Sequence, residues 1–488
     1  MRIPIDRQNS VPIYRQIEAW LRQNILCGNL PAGTRLPATR ALAEKLGVSR
    51  ITVKNAYALL ESDGLIETHE GSGTFVAQTM PVPDGARGSA GVNWPRWQRE
   101  ITGPGPSLEP ASMPRHAADL IRFTGVGDTQ QFPLKEFART MQQVLRRDGV
   151  AALEYGNFDG GYPPLRETVV RILASQGIQS QAEEVLITSG SQQGVALACQ
   201  VLLKEGDTVL VEKPTYNLAL ELFRSLNLKI VGVPLDEAGM QVEQVEALLV
   251  QNQVRLIYTI PNFQNPSGVC MSGGRRRQLL SLADRYQVPI LEDDFAADLR
   301  YEGRAQPAIK ALDDGGRVIY VGTFSKMLMP GLRVGYLLAS GPVFERLVWQ
   351  KYLQDMSTAA LMQRTLERYV TIGRYQAHLR RSVRLYRRRR DVMLAAIRRH
   401  LPEEVTVFPA QGGLFLWVQL PGGVQASHLL GVAQQEGVEF APGTRFFPEP
   451  SEGEAFLRLN FATRTTEEIE LGIGRLGAAI QKVMGRQD

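Results

Sequence analysis

The stretch Val318–Ser340, VIYVGTFSKMLMPGLRVGYLLAS, is the point from which the rest of the chain is read. Val318–Val321 is a short apolar run, mostly β-branched, of the kind a buried strand takes. Thr323 and Ser325 follow with small hydroxyl side chains, then Lys326, and Pro330-Gly331 breaks the chain. Arg333 stands just before Val334–Ala339, which reads as a second strand. One lysine flanked by hydroxyls, with an arginine seven residues later and a strand on either side, suits a pyridoxal phosphate site. The amine can form an imine with the cofactor aldehyde. The hydroxyl and the planar guanidinium fork can hold the phosphate dianion. A surface lysine after a strand and an arginine in a salt bridge would give the same letters, so the neighbouring sequence has to decide.

The stretch resembles the lysine motif of fold type I aminotransferases, S-K-x-x-x-P-G-x-R-x-G-Y, here Ser325, Lys326, Pro330, Gly331, Arg333, Gly335 and Tyr336. That resemblance implies that Lys326 is the Schiff-base lysine and that Ser325 and Arg333 are phosphate ligands.

Upstream, short apolar runs alternate with helical stretches. The runs are Val185–Thr188, Val209–Val211, Leu256–Ile260 and Val288–Leu291. This alternation predicts a mainly parallel α/β sheet, with ligands bound at the carboxyl ends of its strands. Ser189-Gly190-Ser191-Gln192-Gln193 turns from a strand into a helix, a ready anion site and equally an ordinary βα turn. Tyr216 follows the next strand and could stack on a planar ring or simply be a loop tyrosine. Asn265 could donate to the cofactor's phenolic oxygen or shape a turn before Pro266. Glu292-Asp293-Asp294 ends a further strand, where a buried carboxylate can pair with a protonated pyridine nitrogen. No histidine cluster accompanies these acids, so no metal is expected.

Taken in order, these signals resemble the aminotransferase series of glycine phosphate loop, tyrosine, asparagine, aspartate, lysine and arginine. The resemblance assigns Ser191 and Gln192 to phosphate, Tyr216 to ring stacking, Asn265 to the phenolic oxygen and Asp293 to the pyridine nitrogen. By the same resemblance Tyr155 reaches the phosphate of a partner subunit, and Arg458 in AFLRLNF grips a substrate carboxylate. The run Gly412–Trp417 fits the family's small domain. One position departs from the pattern. Two residues after Asp293, where the family has a tyrosine hydroxyl on the phenolic oxygen, stands Phe295. Ring packing survives there and a hydrogen-bond donor is lost, which puts tuning for turnover in doubt.

The first 77 residues have another character. Pro12–Cys27 reads as a helix, Pro31–Pro37 as a loop, and Thr39 as the N-cap of a short helix. Ser49 can cap a third helix that turns Val53, Tyr57 and Leu60 inward and Arg50 and Lys54 outward. Leu65–Val76 reads as a hairpin around Glu70–Gly73. Three helices and a hairpin make a winged helix-turn-helix, or else a small helical oligomerisation module with a basic face. The run from Leu36 to Val76 resembles the GntR-family DNA-binding domain, which implies that Arg40, Ser49, Arg50, Thr52, Lys54 and Gly71 touch double-stranded DNA.

Residues 78–118 are rich in Pro, Gly and Ser and read as a tether, with Trp94 and Trp97 either packed onto a domain or in a short helix over 95–100. The expected organisation is therefore 1–77 winged helix, 78–118 linker, and 119–488 aminotransferase-like domain. Three well-separated cysteines fit a reducing cytosol, and no apolar run is long enough to suggest a membrane span. The net charge of +5 permits nucleic-acid binding without requiring it. Gly373–His400 carries ten arginines against one aspartate and reads as a helix whose basic face is solvated, intersubunit or a secondary DNA contact.

The whole pattern resembles the MocR (GabR-like) regulators, a GntR-type winged helix joined to a fold type I aminotransferase-like domain. The resemblance implies a cytoplasmic, pyridoxal phosphate-dependent transcription factor and a head-to-tail homodimer. An amino acid or amine effector would be sensed by external aldimine formation at Lys326. A working aminotransferase with an autoregulatory DNA-binding domain, and a sensor of pyridoxal phosphate itself, are the alternatives.

Overall fold

Strand Val318–Thr323 is buried along its whole length and lies third in an eight-stranded sheet. The computed structural model describes residues 3–6, 11–26, 30–31, 33–69, 73–77, 120–125, 127–408 and 410–485. The expected linker, 78–118, and Gly71 of the wing lie outside them. The chain divides into two compact units, Met1–Ser107 and Leu108–Asp488.

In the second unit the strand order is Val185–Thr188, Gly335–Leu338, Val318–Thr323, Ile290–Asp294, Val254–Thr259, Thr208–Lys213, Lys229–Asp236 and Gly239–Met240. Gly335–Leu338 runs antiparallel to both neighbours, and Gly239–Met240 to its one neighbour. The remaining pairs are parallel. The reversed strand decides which residues meet at the sheet edge. Its first residue, Gly335, pairs with Thr188 and Thr323, the last residues of the strands beside it. Arg333, which precedes a strand, therefore arrives at the same edge as Ser191 and Lys326, which follow strands.

Two readings of the strands change. The run expected over Val288–Leu291 is shifted, and Ile290–Asp294 is the strand. Asp293 and Asp294 pair in register with Val321 and Gly322, so the acids lie within the sheet. Lys229–Asp236 was not legible, because Gly232 and Pro234 interrupt it and most of it is only half-buried.

A smaller antiparallel sheet centres on Phe415–Gln419 and Phe456–Asn460, with Thr406–Val407 and Ala441–Pro442 outside them. Arg458 pairs here across from Trp417. The short parallel pair of Ile121–Arg122 with Val438–Glu439 ties the start of the unit to this region.

In the first unit, helices Ile13–Leu26, Thr39–Leu46 and Arg50–Ser62 enclose a core that includes Ile17, Leu21, Leu42, Val53, Tyr57 and Leu60. Gly47, at φ 64, makes the left-handed turn that ends the second helix. Ser49 caps the third, its Oγ accepting from the Thr52 amide at 3.1 Å. Strands Ile66–His69 and Gly73–Val76 form the hairpin. Two local expectations are corrected. Thr39 is the first helical residue, and Ala38 occupies the cap position without a side-chain bond. Arg35–Leu36, expected in a loop, is a strand antiparallel to Thr74 and Phe75, which completes the backbone pairing of the central wing strand.

Candidate cofactor cleft and DNA-binding face

A cleft of about 480 Å³ opens at the edge where these strands end. Nine residues singled out from the sequence line it: Ser191, Gln192, Tyr216, Asn265, Asp293, Ser325, Lys326, Arg333 and Arg458. Tyr155 is not among them. It is exposed and lies beside Phe158, ring centroids 6.4 Å apart.

The three consecutive acids are all buried, and their partners separate them. Glu292 accepts from the Ile309 and Lys310 amides at 2.9 and 2.8 Å. Asp294 accepts from Asn262, Tyr320 and the Ala297 amide. Asp293 accepts only from the Tyr258 hydroxyl, at 2.7 Å, and its Oδ1 has no partner. Of the three, Asp293 alone lines the cleft. Burial pushes its carboxyl up to about 6, with Asp294 adding to the rise and Tyr258 and Lys326 opposing it.

Burial pulls the Lys326 amine down to about 8, helped by the positive charges of Arg458 and Arg333 and opposed by Asp293. The neutral, nucleophilic amine is therefore within reach near neutral pH. Ser325 Oγ is buried without a partner.

Helix Ser191–Leu202 begins at the cleft, with unpaired amides and the positive end of its dipole there. Arg333 stands against this turn, its Nη2 donating to the Ser189 carbonyl at 2.7 Å. It holds a left-handed conformation, φ 50 and ψ 46. Gly190 has φ 94 and ψ 164, and an added Cβ would lie 2.5 Å from the Arg333 guanidinium. That backbone region is essentially glycine's alone, at a cost of about 1–3 kcal/mol for other residues. Gly190→Ala is thus expected to displace Arg333 and weaken phosphate-dependent cofactor affinity by roughly tenfold or more. Equilibrium titration with pyridoxal phosphate checks this, with pyridoxal lacking the phosphate as the insensitive control.

Arg458 is buried between two rings, its guanidinium 4.0 Å from the Phe415 centroid and 4.7 Å from that of Phe446. Its Nη1 donates to Asn265 Oδ1 at 2.8 Å, and its Nε has no partner. Among the described residues no carboxylate lies within ion-pair distance of it. Burial lowers its pKa to about 9, which leaves it cationic at neutral pH.

Several cleft residues escaped the sequence reading: Gly125, Asn217, Leu218, Ile260 and Phe415. Asn217, Leu218 and Ile260 adjoin the strand-end turns already marked. The sequence places Phe415 only in the small domain, and Gly125 carries no signal. Phe295 also lines the cleft, stacked on Phe415 at 6.3 Å. Tyr258 holds Asp293 from a buried strand, and a buried tyrosine hydroxyl needing a partner was the available clue.

In the first unit, Arg40, Ser49, Arg50 and Lys54 are exposed and Thr52 is half-buried. Ser49, Arg50, Thr52 and Lys54 gather at the start of helix Arg50–Ser62, the position from which a recognition helix meets base edges.

Known proteins match both units. The profile of the aminotransferase class I and II family matches residues 124–476, and that of the gntR family of bacterial regulatory proteins matches 13–76. One similar solved structure is LysN, an alpha-aminoadipate aminotransferase of Thermus thermophilus complexed with N-(5'-phosphopyridoxyl)-L-leucine. Its TM-score is 0.73 at 34% identity, over 80% of this chain and 99% of its own. MocR of Rhizobium meliloti, described as a probable rhizopine catabolism regulatory protein, is 34% identical over 97% of this chain and 95% of its own. YdfD of Bacillus subtilis, an uncharacterized HTH-type transcriptional regulator, is 32% identical over 98% of both chains. The second unit is a fold type I aminotransferase domain of the pyridoxal phosphate class. The chain as a whole belongs to the MocR-type regulators, in which a gntR-family DNA-binding domain is joined to such a domain.

The cleft fits that cofactor. Asp293 Oδ1, Ser325 Oγ, Gln192 Oε1 and Arg458 Nε are buried polar atoms without partners, and all four belong to it. Leaving such atoms unmade costs about 1–3 kcal/mol each, so a polar ligand that engages them is strongly favoured. A helix N-terminus with a guanidinium suits a phosphate, and a buried carboxylate suits a protonated ring nitrogen.

Proposed function

We propose that this chain is a cytoplasmic, pyridoxal phosphate-dependent transcriptional regulator that senses an amino acid or amine in the Lys326 cleft. The observation that carries this reading is a cleft lined by Lys326, Asp293, Asn265 and Arg333 in the same chain as a gntR-type winged helix. Bound pyridoxal phosphate supplies an aldehyde that condenses with primary amines, so an effector amine can take the place of the lysine amine.

The chain's own residues do the rest. Ser191, Gln192, Ser325 and Arg333 hold the phosphate. Tyr216 stacks on the ring, and Asp293 keeps the pyridine nitrogen protonated. Asn265, its side-chain oxygen engaged by Arg458, has its amide nitrogen left as the donor to the phenolic oxygen. Phe295 packs without a hydroxyl to offer. Lys326 carries the amine that an effector displaces, and Arg458 receives an effector carboxylate. Displacement changes the contacts around Lys326, and differential effector affinity for two states of the domain drives the output. Arg40, Ser49, Arg50, Thr52, Lys54 and Gly71 contact the operator.

The active form in this reading is a homodimer, proposed as head-to-tail. Pairing of the second units is supported by an apolar surface on which Leu153, Tyr155, Phe158, Trp349 and Leu353 are exposed. Phe158 packs edge-on against Tyr352, which stacks on Trp349, so the rings are continuous. A patch of this kind marks an interface, and it would bring Tyr155 to the cleft of a second copy. Trp349→Glu with Leu353→Glu is expected to raise the dimer dissociation constant about 100-fold or more, since each buries an unpaired carboxylate. Analytical ultracentrifugation reads this directly. An unchanged dimer constant rules the patch out.

The test of the function is the absorbance of the holoprotein during titration with amino acids and amines. A stable spectral shift with one class of amine, matched by a change in promoter output, supports the sensor. The match of Lys326, Asp293, Asn265 and Arg333 to the aminotransferase series also favours a working aminotransferase, and sustained keto-acid release would decide for that reading.

A further inference from the structure

Helix Arg374–His400 carries arginines with two different fates. Arg389 and Arg390 are buried structural residues. Arg389 donates to Asp128 and to the Ala462 carbonyl, both at 2.8 Å. Arg390 holds Glu302, Asp391 and the Ala410 carbonyl. Arg380, Arg381, Arg384, Arg387 and Arg388 are exposed and form no ion pair or hydrogen bond with any described residue. Asp391, the one acid of the helix, is already bound by Arg390 at 2.6 Å. Glu467 lies near Arg388 without an ion pair to it, and Glu136 and Arg381 both act on His378 without an ion pair between them.

Spacing makes these five a stripe. Positions 380, 384 and 388 are one turn apart, with 381 and 387 beside them, over about 12 Å of helix. Like charges at i,i+3 and i,i+4 destabilise a helix, and Arg384 faces four of them. A shallow groove of about 450 Å³ is lined by Arg384, Arg387 and Arg388 together with Asp391, Val392 and Ala395. The stripe is thus a row of uncompensated guanidinium groups on a rigid element, complementary to a row of phosphates.

We propose that this stripe on the aminotransferase domain binds the phosphate backbone of DNA, as a second contact beyond the winged helix. The polyanion is DNA because the same chain carries a DNA-binding domain, so duplex held by that domain is tethered to the stripe at a raised effective concentration. The contact is independent of sequence and of effector, and each phosphate neutralised releases counterions. The inference extends the proposed function without depending on its sensing chemistry.

The test compares full-length holoprotein with a variant carrying Arg→Gln at 380, 381, 384, 387 and 388, by fluorescence anisotropy across a salt series. Two duplexes of arbitrary sequence serve as probes. One, of about 15 bp, accommodates a winged helix, and one, of about 60 bp, leaves backbone for a second surface. On the long duplex the plot of log K against log salt should become shallower by about 3–5, with affinity at least about tenfold weaker. On the short duplex the change should stay below about twofold. A five-fold Arg→Lys variant should keep most of the slope. The absorbance of bound cofactor reports that each variant is folded. Should the five-fold Gln variant fail this check, Arg384→Gln, Arg387→Gln and Arg388→Gln together should lower the slope by about 3. Unchanged slope and affinity on the long duplex overturn the proposal. Equal losses on both duplexes, or a Lys variant as impaired as the Gln variant, overturn it as well.

Discussion

Lys326→Ala is expected to abolish the covalently bound cofactor and with it every effector-dependent change in promoter output. Lys326 is half-buried in the cleft, under the opposing influences of the Asp293 carboxyl and the positive charges of Arg458 and Arg333. Among the described residues no other lysine lines that cleft, so none of them can take over its bond. The substitution leaves Ser191, Gln192, Ser325 and Arg333, the proposed phosphate ligands, in place, so free cofactor is expected still to bind, without its covalent anchor. DNA binding in the absence of effector should change little, because the winged helix has a core of its own. In wild-type apoprotein the same amine predicts a pH dependence. With its pKa pulled down to about 8, the neutral fraction rises with pH, and cofactor uptake should quicken about tenfold between pH 7 and its plateau above pH 9. Stopped-flow absorbance follows the uptake, and a reporter fusion follows the output. Effector response that persists in Lys326→Ala would falsify sensing at this lysine.

What could be read from the sequence were the residues whose chemistry is local. The lysine motif lies within one strand–turn–strand unit, and turns after Val185–Thr188, Thr208–Lys213 and Val254–Thr259 carry their own punctuation. What could not be read were contacts between distant segments. Reversal of Gly335–Leu338 brings Arg333 to the Ser189 carbonyl, and no local pattern distinguishes a reversed strand from a parallel one. Glu212 is a further case. It is buried, pushed up to about 7 by burial, and accepts from Thr259, the Ile260 amide and Gln264. Gln264 in turn donates to the Pro214 carbonyl, so the turn of Tyr216 and the turn of Asn265 are tied together. In the sequence, Glu212 is one acid at the end of a strand. The choice of Asp293 over Asp294 comes from resemblance, and the physical difference lies in partners 26–35 residues away, Tyr258 and Tyr320. Composition likewise gives a basic stretch over 373–400 and cannot separate the two buried arginines, Arg389 and Arg390, from the five exposed ones of the 380–388 stripe.

Arg458→Gln is expected to weaken binding of a carboxylate-bearing effector about 100-fold or more, the order found when one partner of a desolvated charge pair is removed. The guanidinium has been taken out of water, lies against Phe415 and Phe446, and meets no carboxylate of the described chain. A buried, uncompensated cation is costly, and an incoming carboxylate supplies both the missing charge and an acceptor for Nε. Glutamine is the informative replacement, because it retains a donor for Asn265 Oδ1 and so spares the loop that carries the asparagine. Arg458→Lys keeps the charge and loses the planar fork, so it should recover only part of the affinity. An amine with no carboxylate should bind wild type and Arg458→Gln within about threefold of each other, since the contact removed is one it never made. Spectral titration of the three proteins with an amino acid and its decarboxylated amine separates the outcomes. Equal losses for both ligands would mean that Arg458 supports the cofactor site through Asn265 and Phe415, and that the effector's recognition lies elsewhere in the cleft.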